Sequence, residues 1–529
     1  MTEKTVFVRK ASGLVRHLGL TDQYFYLLAA CPFGIGVSTL LGWGLLVAPG
    51  VDIVGTSALT LVLITIPCGL IFSFYANIMP RSGGEYVVLS RIYHPLLGFF
   101  ENWNLMFTQL IWAGWGAATI GTFVLASSFG VMGAVTNNST LLQLSQLSKT
   151  PEWMALWGTV VLVLIGILML AGTRWVFRVQ NVVMIFALFG TLVIFALLAT
   201  TSTAQFQAAF DSFMGKSGTY SDVLAAAQQN GFSWPSNSLY SMWMVMPVAA
   251  MWMGFNFINV YTSGEVKDVT KTQLISMVGG GATVVLLFAL GSWLLLRIAS
   301  PEFIGSLVYL SYIKPEAAAP ATAYAYYNFF VSLITKEPVL LMIIALTMAC
   351  WGYLSIYPLI VSPTRCFFAW SFDRIFPEAI TRVNKKGVPV TATLFSLIVA
   401  EILVIIFAYT PLIAIMSVTY CLYGGSLIAA YGAFLIPFVK RGKEHYWKSP
   451  YSKYHPLIPV CGLVYGTATL SAIIPVAINP WFASNTTTAF MFNAIYGIPI
   501  PLAIYFTAKW YYKRKGIPFE AAFKEIPPA

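Results

Sequence analysis

Long apolar stretches separated by short polar segments recur along the whole chain of 529 residues. A helix needs about 20 consecutive, mostly apolar residues to cross the hydrocarbon core of a bilayer. Twelve stretches meet this requirement, so the pattern predicts an all-α polytopic membrane protein. The predicted spans are 23–48, 53–79, 88–128, 153–172, 180–201, 240–263, 275–297, 338–369, 389–409, 412–438, 457–478 and 489–511.

The third stretch is longer than one straight crossing requires. Residues 85–91 at its start carry a charge at each end, on Glu85 and Arg91. We therefore expect a short helical turn lying on the membrane surface, and a true crossing that begins near Leu96.

Spans 1 and 6 are interrupted near their middles by small residues. In span 1, Gly34 and Gly36 follow Pro32, and in span 6 Gly254 lies at the corresponding depth. The two spans open successive groups of five, and interrupted helices at matching positions indicate a carrier built from inverted repeats. Because unwound backbone at this depth is tolerated only where it lines a cavity, the interruptions predict a binding site. Close helix packing through small residues is the alternative for each glycine cluster taken alone.

Composition supports lipid as the solvent of most of the chain. Hydrophobic residues make up 58% and charged residues 9%, against about 25% charged in soluble domains. The net charge of +11 is distributed unevenly, since 25 of the 30 Lys and Arg fall on one side of the predicted topology. This bias predicts that both termini are cytoplasmic, and it explains the charge without nucleic acid. The five on the other side are Lys149, Lys216, Arg297, Lys314 and Lys336.

The span pattern divides the chain into seven parts. The predicted parts are a cytoplasmic segment 1–22, a first repeat 23–201, an extracellular loop 202–239, a second repeat 240–438, a basic cytoplasmic loop 439–456, two further spans in 457–511 and a cytoplasmic tail 512–529. The outer segments 202–237 and 300–337 are expected to be partly helical lids.

Several functional classes are excluded by what the sequence lacks. The six cysteines are scattered and the four histidines lie at predicted span edges or in polar segments, so no metal site is expected. An embedded enzyme would need His, Asp or Cys clustered at one depth, and a nucleotide-driven pump would need a Gly-rich phosphate-binding loop. Neither is present, so the sequence favours a secondary carrier and not an enzyme.

Three distinctive segments follow one another at the predicted joints. They are Pro-Arg-Ser-Gly-Gly-Glu-Tyr at 80–86 with Pro-Leu-Leu-Gly-Phe at 95–99, Gly-Phe-Asn at 254–256 with Gly-Glu-Val-Lys-Asp at 264–268, and Ser-Pro-Thr-Arg at 362–365 with Phe-Asp-Arg-Ile-Phe-Pro at 372–377 and Gly-Val-Pro at 387–389. Together they resemble the amino acid–polyamine–organocation (APC) superfamily, and the resemblance extends from the first span through the tenth.

This resemblance implies a LeuT-type fold of 5+5 inverted repeats with two C-terminal helices, and transport of amino acids or related organic cations by alternating access. Two departures limit what is carried over. Val37 and Ser38 follow Gly36 where the family commonly has Ile-Phe, so the register of the carboxylate site is open. Proton-coupled members often have a lysine in span 5, but the corresponding position near Ala187 is apolar, and we expect no lysine-based proton relay.

Two groups of residues are predicted to hold the substrate at the unwound centres. Free amides at a half-helix N-terminus attract a carboxylate, while exposed carbonyls attract an ammonium group. Ordinary packing is the alternative for the aromatic members. The predicted carboxylate ligands are Gly34, Ile35, Gly36 and Ser38; the amine ligands and pocket wall are Met253, Gly254 and Phe255, with Trp252 or Phe255 as gate.

Thr347 and Ser355 in span 8 form a candidate ion site, because hydroxyl oxygens suit a hard cation. Such hydroxyls more often bond within their own helix. Na⁺ and H⁺ are both open as the coupling ion, and no other cofactor is expected.

Charged residues near or within the spans suggest further roles. A carboxylate at membrane depth is a functional candidate by default. Glu101 lies near the inner end of span 3, where a structural role is favoured, and Glu401 in span 9 is expected to be peripheral. Asp373, Arg374 and Arg365 are expected to lock an inward gate.

The sequence as a whole predicts an amino-acid permease of the cell membrane, with an amino acid and the lipid bilayer as its partners. No acidic residue lies in the predicted breaks, which favours neutral amino acids. A polyamine or other amine carrier or exchanger is the first alternative. A non-transporting nutrient sensor is the second, although the terminal segments are too short for a signalling extension. The oligomeric state is left open.

Overall fold

The computed structural model describes residues 16–215, 218–317, 326–384, 387–410, 419–479 and 487–525, without the side chain of Ser452. Within these ranges, twelve helical runs are long and apolar enough to cross a membrane, and each overlaps one predicted span. The predicted span count is therefore confirmed, although residues 412–418 of predicted span 10 lie outside the described ranges. The spans, numbered 1 to 12, are Leu20–Val47, Ile53–Ile78, Pro95–Thr136, Pro151–Ala171, Thr173–Thr200, Leu239–Glu265, Val269–Ala299, Pro338–Phe372, Val390–Tyr409, Thr419–Phe438, Leu457–Ile478 and Thr487–Arg514.

Several spans are not single α-helices. Proline begins the second segment of spans 8 and 12, where its missing amide hydrogen is harmless. Short π-helical turns occur within spans 2, 3 and 7. The segments are Leu20–Ala30 and Phe33–Val47 in span 1, Leu239–Met253 and the 3₁₀ helix Phe255–Glu265 in span 6, Pro338–Ile356 and Pro358–Phe372 in span 8, and Thr487–Gly497 and Pro499–Arg514 in span 12; the π turns are Leu61–Thr65, Gly121–Ala126 and Ile275–Gly280.

The connections contain further short helices. Those of segments 202–239 and 300–337 pack together, since the rings of Tyr220 and Phe303 stack at 4.0 Å between centroids. The prediction that both segments are partly helical is confirmed for the residues described. The connecting helices are Glu85–Ile92, Ser139–Leu147, Thr203–Met214, Tyr220–Gln229, Pro301–Ile313, Tyr327–Leu333, Lys440–Lys448 and the 3₁₀ helix Phe519–Phe523.

Spans 1 and 6 form the centre of the bundle. In its most apolar window, span 1 is 94% buried and span 6 is 78% buried, whereas spans 4 and 12 are only 33% buried. The outer spans expose large apolar side chains such as Phe186 and Leu164. Since the central spans are the interrupted ones, the irregular backbone is enclosed by protein, as the cost of unpaired peptide groups in lipid requires.

The helix Glu85–Ile92 corrects one prediction. A crossing that starts at Pro95 agrees with the expected start near Leu96, but the preceding helix does not lie on the membrane surface. All eight of its residues are buried, including Glu85 and Arg91. Both charged side chains find polar partners inside the protein, described below, and the helix is therefore covered by other spans.

Candidate functional site

Span 1 is divided at Cys31 and Pro32, because proline lacks an amide hydrogen and disfavours helix at the preceding residue. The first hydrogen bond of the second half-helix runs from Gly36 N to Pro32 O at 2.9 Å. The amides of Phe33 and of the next two residues precede this bond and have no acceptor within the helix. With the helix dipole, they form a positive end suited to a carboxylate.

The interruption thus lies three residues before the predicted position around Gly34. Gly34, Ile35 and Gly36 are in the first turn of the half-helix, and Ser38 is one turn further on. The Ser38 hydroxyl donates to Gly34 O at 2.8 Å and accepts from Tyr327 N at 2.9 Å. Its hydrogen therefore already has an acceptor in this structure.

Span 6 changes from α-helix to 3₁₀ helix at Gly254. A Cβ atom at this position would lie 2.7 Å from Ala250 O, so a larger residue would not fit the local turn. The bend is held by span 2 and span 7. Thr65 donates to Met253 O at 2.8 Å, and the amide of Asn256 donates to Thr65 O at 2.9 Å and to Met277 O at 2.6 Å.

The two interruptions are neighbours in space. Cys31 lies near the backbone of Phe255, and both residues are almost completely buried. The donor-rich start of one half-helix therefore faces the segment where span 6 changes from α to 3₁₀ geometry. Of the predicted ligands, this arrangement brings together the first turn of the second half of span 1 and Gly254 with Phe255.

Gly34 and Gly36 also serve close packing. A Cβ atom at Gly34 would collide with Met348 Sδ of span 8, and one at Gly36 would collide with the ring of Phe288 of span 7. Both glycines are therefore required for close helix packing, as the alternative interpretation expected. The backbone amide of Gly34 is still part of the half-helix N-terminus and can also bind a ligand.

A cavity with an empty volume of about 280 Å³ adjoins the interruption of span 6. Gly254 and Phe255 line it together with side chains of spans 2, 10 and 11, whereas no residue of span 1 does. The Thr469 hydroxyl lines it without a hydrogen-bond partner among the described residues. The other lining residues are Ile64, Ala250, Phe257, Leu422, Tyr423, Ser426 and Tyr465.

Sequence reasoning missed the hydroxyl groups of this cavity. Ser426 of span 10 and Tyr465 and Thr469 of span 11 are polar residues on apolar spans, a pattern that ordinary helix packing also produces. The one usable signal would have been that spans 10 and 11 both place hydroxyls at the depth of Gly254.

The two predicted gate residues lie in different surroundings. The ring of Phe255 packs against Trp112 of span 3 at 5.2 Å and against Phe257 at 5.0 Å. It separates the cavity from span 3. Trp252 is 9% exposed, is not among the cavity residues, and its indole N–H has no partner among the described residues.

The amino acid permease family matches the chain over residues 28–504, which includes both interruptions, ten complete spans and parts of spans 1 and 12. The chain belongs to the amino acid permease family. The predicted resemblance to the APC superfamily is thereby confirmed, and the protein is a multi-pass membrane transporter. A comparison with curated proteins finds no match.

The candidate ion ligands of this permease are each bonded within their own helix. Thr347 donates to Ile343 O at 2.7 Å and lies against Gly190 of span 5, while Ser355 donates to Gly352 O at 2.7 Å. No hydrogen bond joins either hydroxyl to span 1 among the described residues. The ion site stays a prediction.

Buried ion pairs connect the spans at one end of the permease, called the basic end below because it holds Arg91, Arg365 and Arg374. Arg365 of span 8 contacts Glu265 at 3.0 Å, at the end of span 6. Arg374 donates to Pro518 O at 3.1 Å. These contacts place the two arginines at joints between spans, and their predicted role as an inward lock stays a prediction.

Asp373, the third predicted gate residue, accepts two bonds from the Arg91 guanidinium, each 2.6 Å long. The Tyr86 hydroxyl donates to the same carboxylate at 2.5 Å. The two charged side chains are only 5% and 3% exposed. The attraction within a buried ion pair can offset the free-energy cost of removing both charges from water when the pair is bidentate and a further donor binds the carboxylate, as here.

Proposed function

We propose that this permease is a secondary active transporter that moves amino acids by alternating access, with the substrate held where spans 1 and 6 are interrupted. The observation that carries the proposal is the adjacency of the two interruptions, with Cys31 beside the Phe255 backbone. Backbone groups released from helical bonding there suit a zwitterion, because donors and acceptors lie within one small enclosed region.

The substrate carboxylate binds the amides of Phe33, Gly34 and Ile35 at the start of the half-helix. The amine binds carbonyls at Met253 and Gly254. Thr65 occupies one lone pair of Met253 O, which leaves a second for the amine. The substrate side chain points past Phe255 into the cavity, and Phe255 or Trp252 closes the site.

Neutral amino acids of moderate size are the substrate class that this site fits best. The cavity residues include no charged side chain, so a second charge on the substrate would be buried without a partner. Both termini lie in the cytoplasm in this proposal, because the positively charged connections then face inward.

Uptake into proteoliposomes with labelled L-alanine, L-leucine, L-lysine and L-glutamate, with putrescine as the competing class, tests the proposal. We expect alanine and leucine to be taken up at least about tenfold faster than the charged compounds, since each uncompensated charge costs well over 1.4 kcal/mol on burial. Separate Na⁺ and pH gradients identify the coupling ion. Uptake of putrescine without any amino acid would replace the proposal by its amine-carrier alternative.

Filling the cavity tests where the substrate side chain lies. Thr469→Phe adds a ring at a buried position that lines the cavity, so the cavity shrinks. We expect the KM for leucine to rise roughly tenfold and that for alanine to change little, because only the longer side chain enters the cavity.

Thr469→Val is the matched control for this substitution, since it keeps the shape and removes only the hydroxyl. It should leave both KM values within about twofold of the parent. Equal effects of Thr469→Phe on leucine and alanine would place the cavity outside the path of the substrate side chain.

A further inference from the structure

Two carboxyl groups are buried next to each other at the basic end of the permease. Glu85 begins the helix that precedes span 3, and Glu101 lies in the second turn of span 3. Both residues have zero exposed surface. They are close enough to interact electrostatically.

The hydrogen bonds of this pair are incomplete. Glu85 Oε1 accepts from Asn102 Nδ2 at 2.6 Å and from the Tyr261 hydroxyl at 2.9 Å. Glu85 Oε2 and both carboxyl oxygens of Glu101 have no hydrogen-bond partner among the described residues. Three buried carboxyl oxygens of two adjacent acids are thus without donors.

Positive charges nearby are already paired. Arg91 on the same helix as Glu85 binds Asp373, and Arg365 in span 8 binds Glu265. The titratable groups that face the two carboxyls are neutral when protonated: Cys68 and Tyr75 of span 2, Tyr261 of span 6 and Cys366 of span 8.

Two ionised carboxylates cannot remain side by side in such a site, because burial and mutual repulsion both disfavour the second charge. A proton on one of them removes a charge and turns that carboxyl into a hydrogen-bond donor. Burial raises the pKa of Glu85 to about 8, while the backbone amide of Glu85 and the bonds from Asn102 and Tyr261 oppose the rise.

We propose that Glu85 and Glu101 form the proton-binding site through which the permease couples transport to a proton gradient. Tyr261 connects this site to the 3₁₀ half of span 6, so movement of that half breaks the bond to Glu85 and admits water. The carboxyl then becomes acidic and gives its proton to water on that side. The site stands in place of the span-5 lysine that this chain lacks, and it rests on the proposed transport function.

The first experiment compares uptake of labelled L-alanine and L-leucine with an inward proton gradient and at equal pH. We expect the ratio of the two uptake values to be about 10 or more for the parent, and near 1 for Glu85→Gln and Glu101→Gln, because glutamine cannot release a proton. The control is Glu401→Gln, which removes another intramembrane carboxyl, one that accepts from Thr159 at 2.6 Å, and should keep the parent ratio.

A ratio that stays at the parent value in both glutamine variants would overturn the proton site. A parent that takes up amino acids with no response to the proton gradient would overturn it as well, and would leave the proposed function standing. Absence of amino-acid uptake in every arm would contradict the proposed function instead.

A second measurement needs no transport. Infrared difference spectra of the purified permease between pH 6 and pH 9 report the carbonyl stretch of protonated carboxyl groups. We expect a band that disappears with rising pH, with a midpoint above the ordinary range of glutamate. It should be lost in the Glu85→Gln/Glu101→Gln double variant and kept in Glu401→Gln. A parent without such a band, or a double variant that retains it, contradicts the proposal even where a variant is too unstable for uptake.

Discussion

Replacing Gly36 by leucine is expected to reduce amino-acid uptake by roughly 100-fold, the scale on which a displacement of about 1 Å acts on a positioned site. A Cβ atom at Gly36 would already collide with the ring of Phe288, which is itself almost fully buried. The half-helix must therefore move away from span 7, and the amides of its first turn move with it. Initial uptake rates, normalised to the amount of inserted protein, measure this effect.

Gly42 provides the matched control. It lies in the same half-helix, and a Cβ atom there would meet no other atom within 4 Å. Gly42→Ala should therefore keep most of the uptake, whereas Gly36→Ala should already lose a substantial part. Equal uptake for the alanine variants at positions 36 and 42 would show that Gly36 does not position the carboxylate site and that this site lies elsewhere.

Asp373→Ala is expected to destabilise the permease by about 3–5 kcal/mol, because it leaves the buried Arg91 guanidinium without its counter-charge. The two side chains are 3% and 5% exposed, so water cannot replace the lost carboxylate. Thermal unfolding in detergent measures the loss as a lower midpoint. Arg91→Ala should have an effect of similar size for the same reason.

Two controls test whether the loss of stability depends on the burial of the ion pair and on the unpaired charge that each alanine variant leaves. Glu520→Ala breaks the pair with Lys509, whose side chains are 64% and 44% exposed, and should leave the unfolding midpoint unchanged. The double variant Arg91→Met/Asp373→Leu removes both buried charges and should be more stable than either single alanine variant. A double variant as unstable as the single ones would show that the pair acts through its shape or through Tyr86 instead.

The spans were predictable because hydropathy and length alone define a transmembrane helix. The presence of an interruption in each of the two central spans was also predictable, from Pro32 and Gly254. The position in span 1 was not, because glycine makes an unwound backbone possible whereas proline forces one. The helix ends at Ala30, before the proline, and Gly34 then serves contact with Met348.

Contacts between residues far apart in the sequence explain the other differences between the predicted and the observed structure. The charges at the two ends of the helix Glu85–Ile92 suggested a membrane surface, but Asp373, which follows span 8, binds Arg91, and Tyr261 of span 6 binds Glu85. The hydroxyl groups around the cavity gave no pattern for the same reason, since those of span 10 and those of span 11 meet only in the fold. A sequence shows which residues a helix carries, and only the fold shows which of them meet.

The 3₁₀ half of span 6 has a further consequence that follows from its geometry. Phe255–Glu265 forms eleven residues of 3₁₀ helix, far more than the three or four at which this form usually stops. A 3₁₀ helix rises about 0.5 Å more per residue than an α-helix, so rewinding this segment would shorten it by about 5 Å. If the end at Phe255 stays in place, such rewinding would move Tyr261 and the paired Glu265 toward it, and a local change of winding would become a displacement along the axis of span 6.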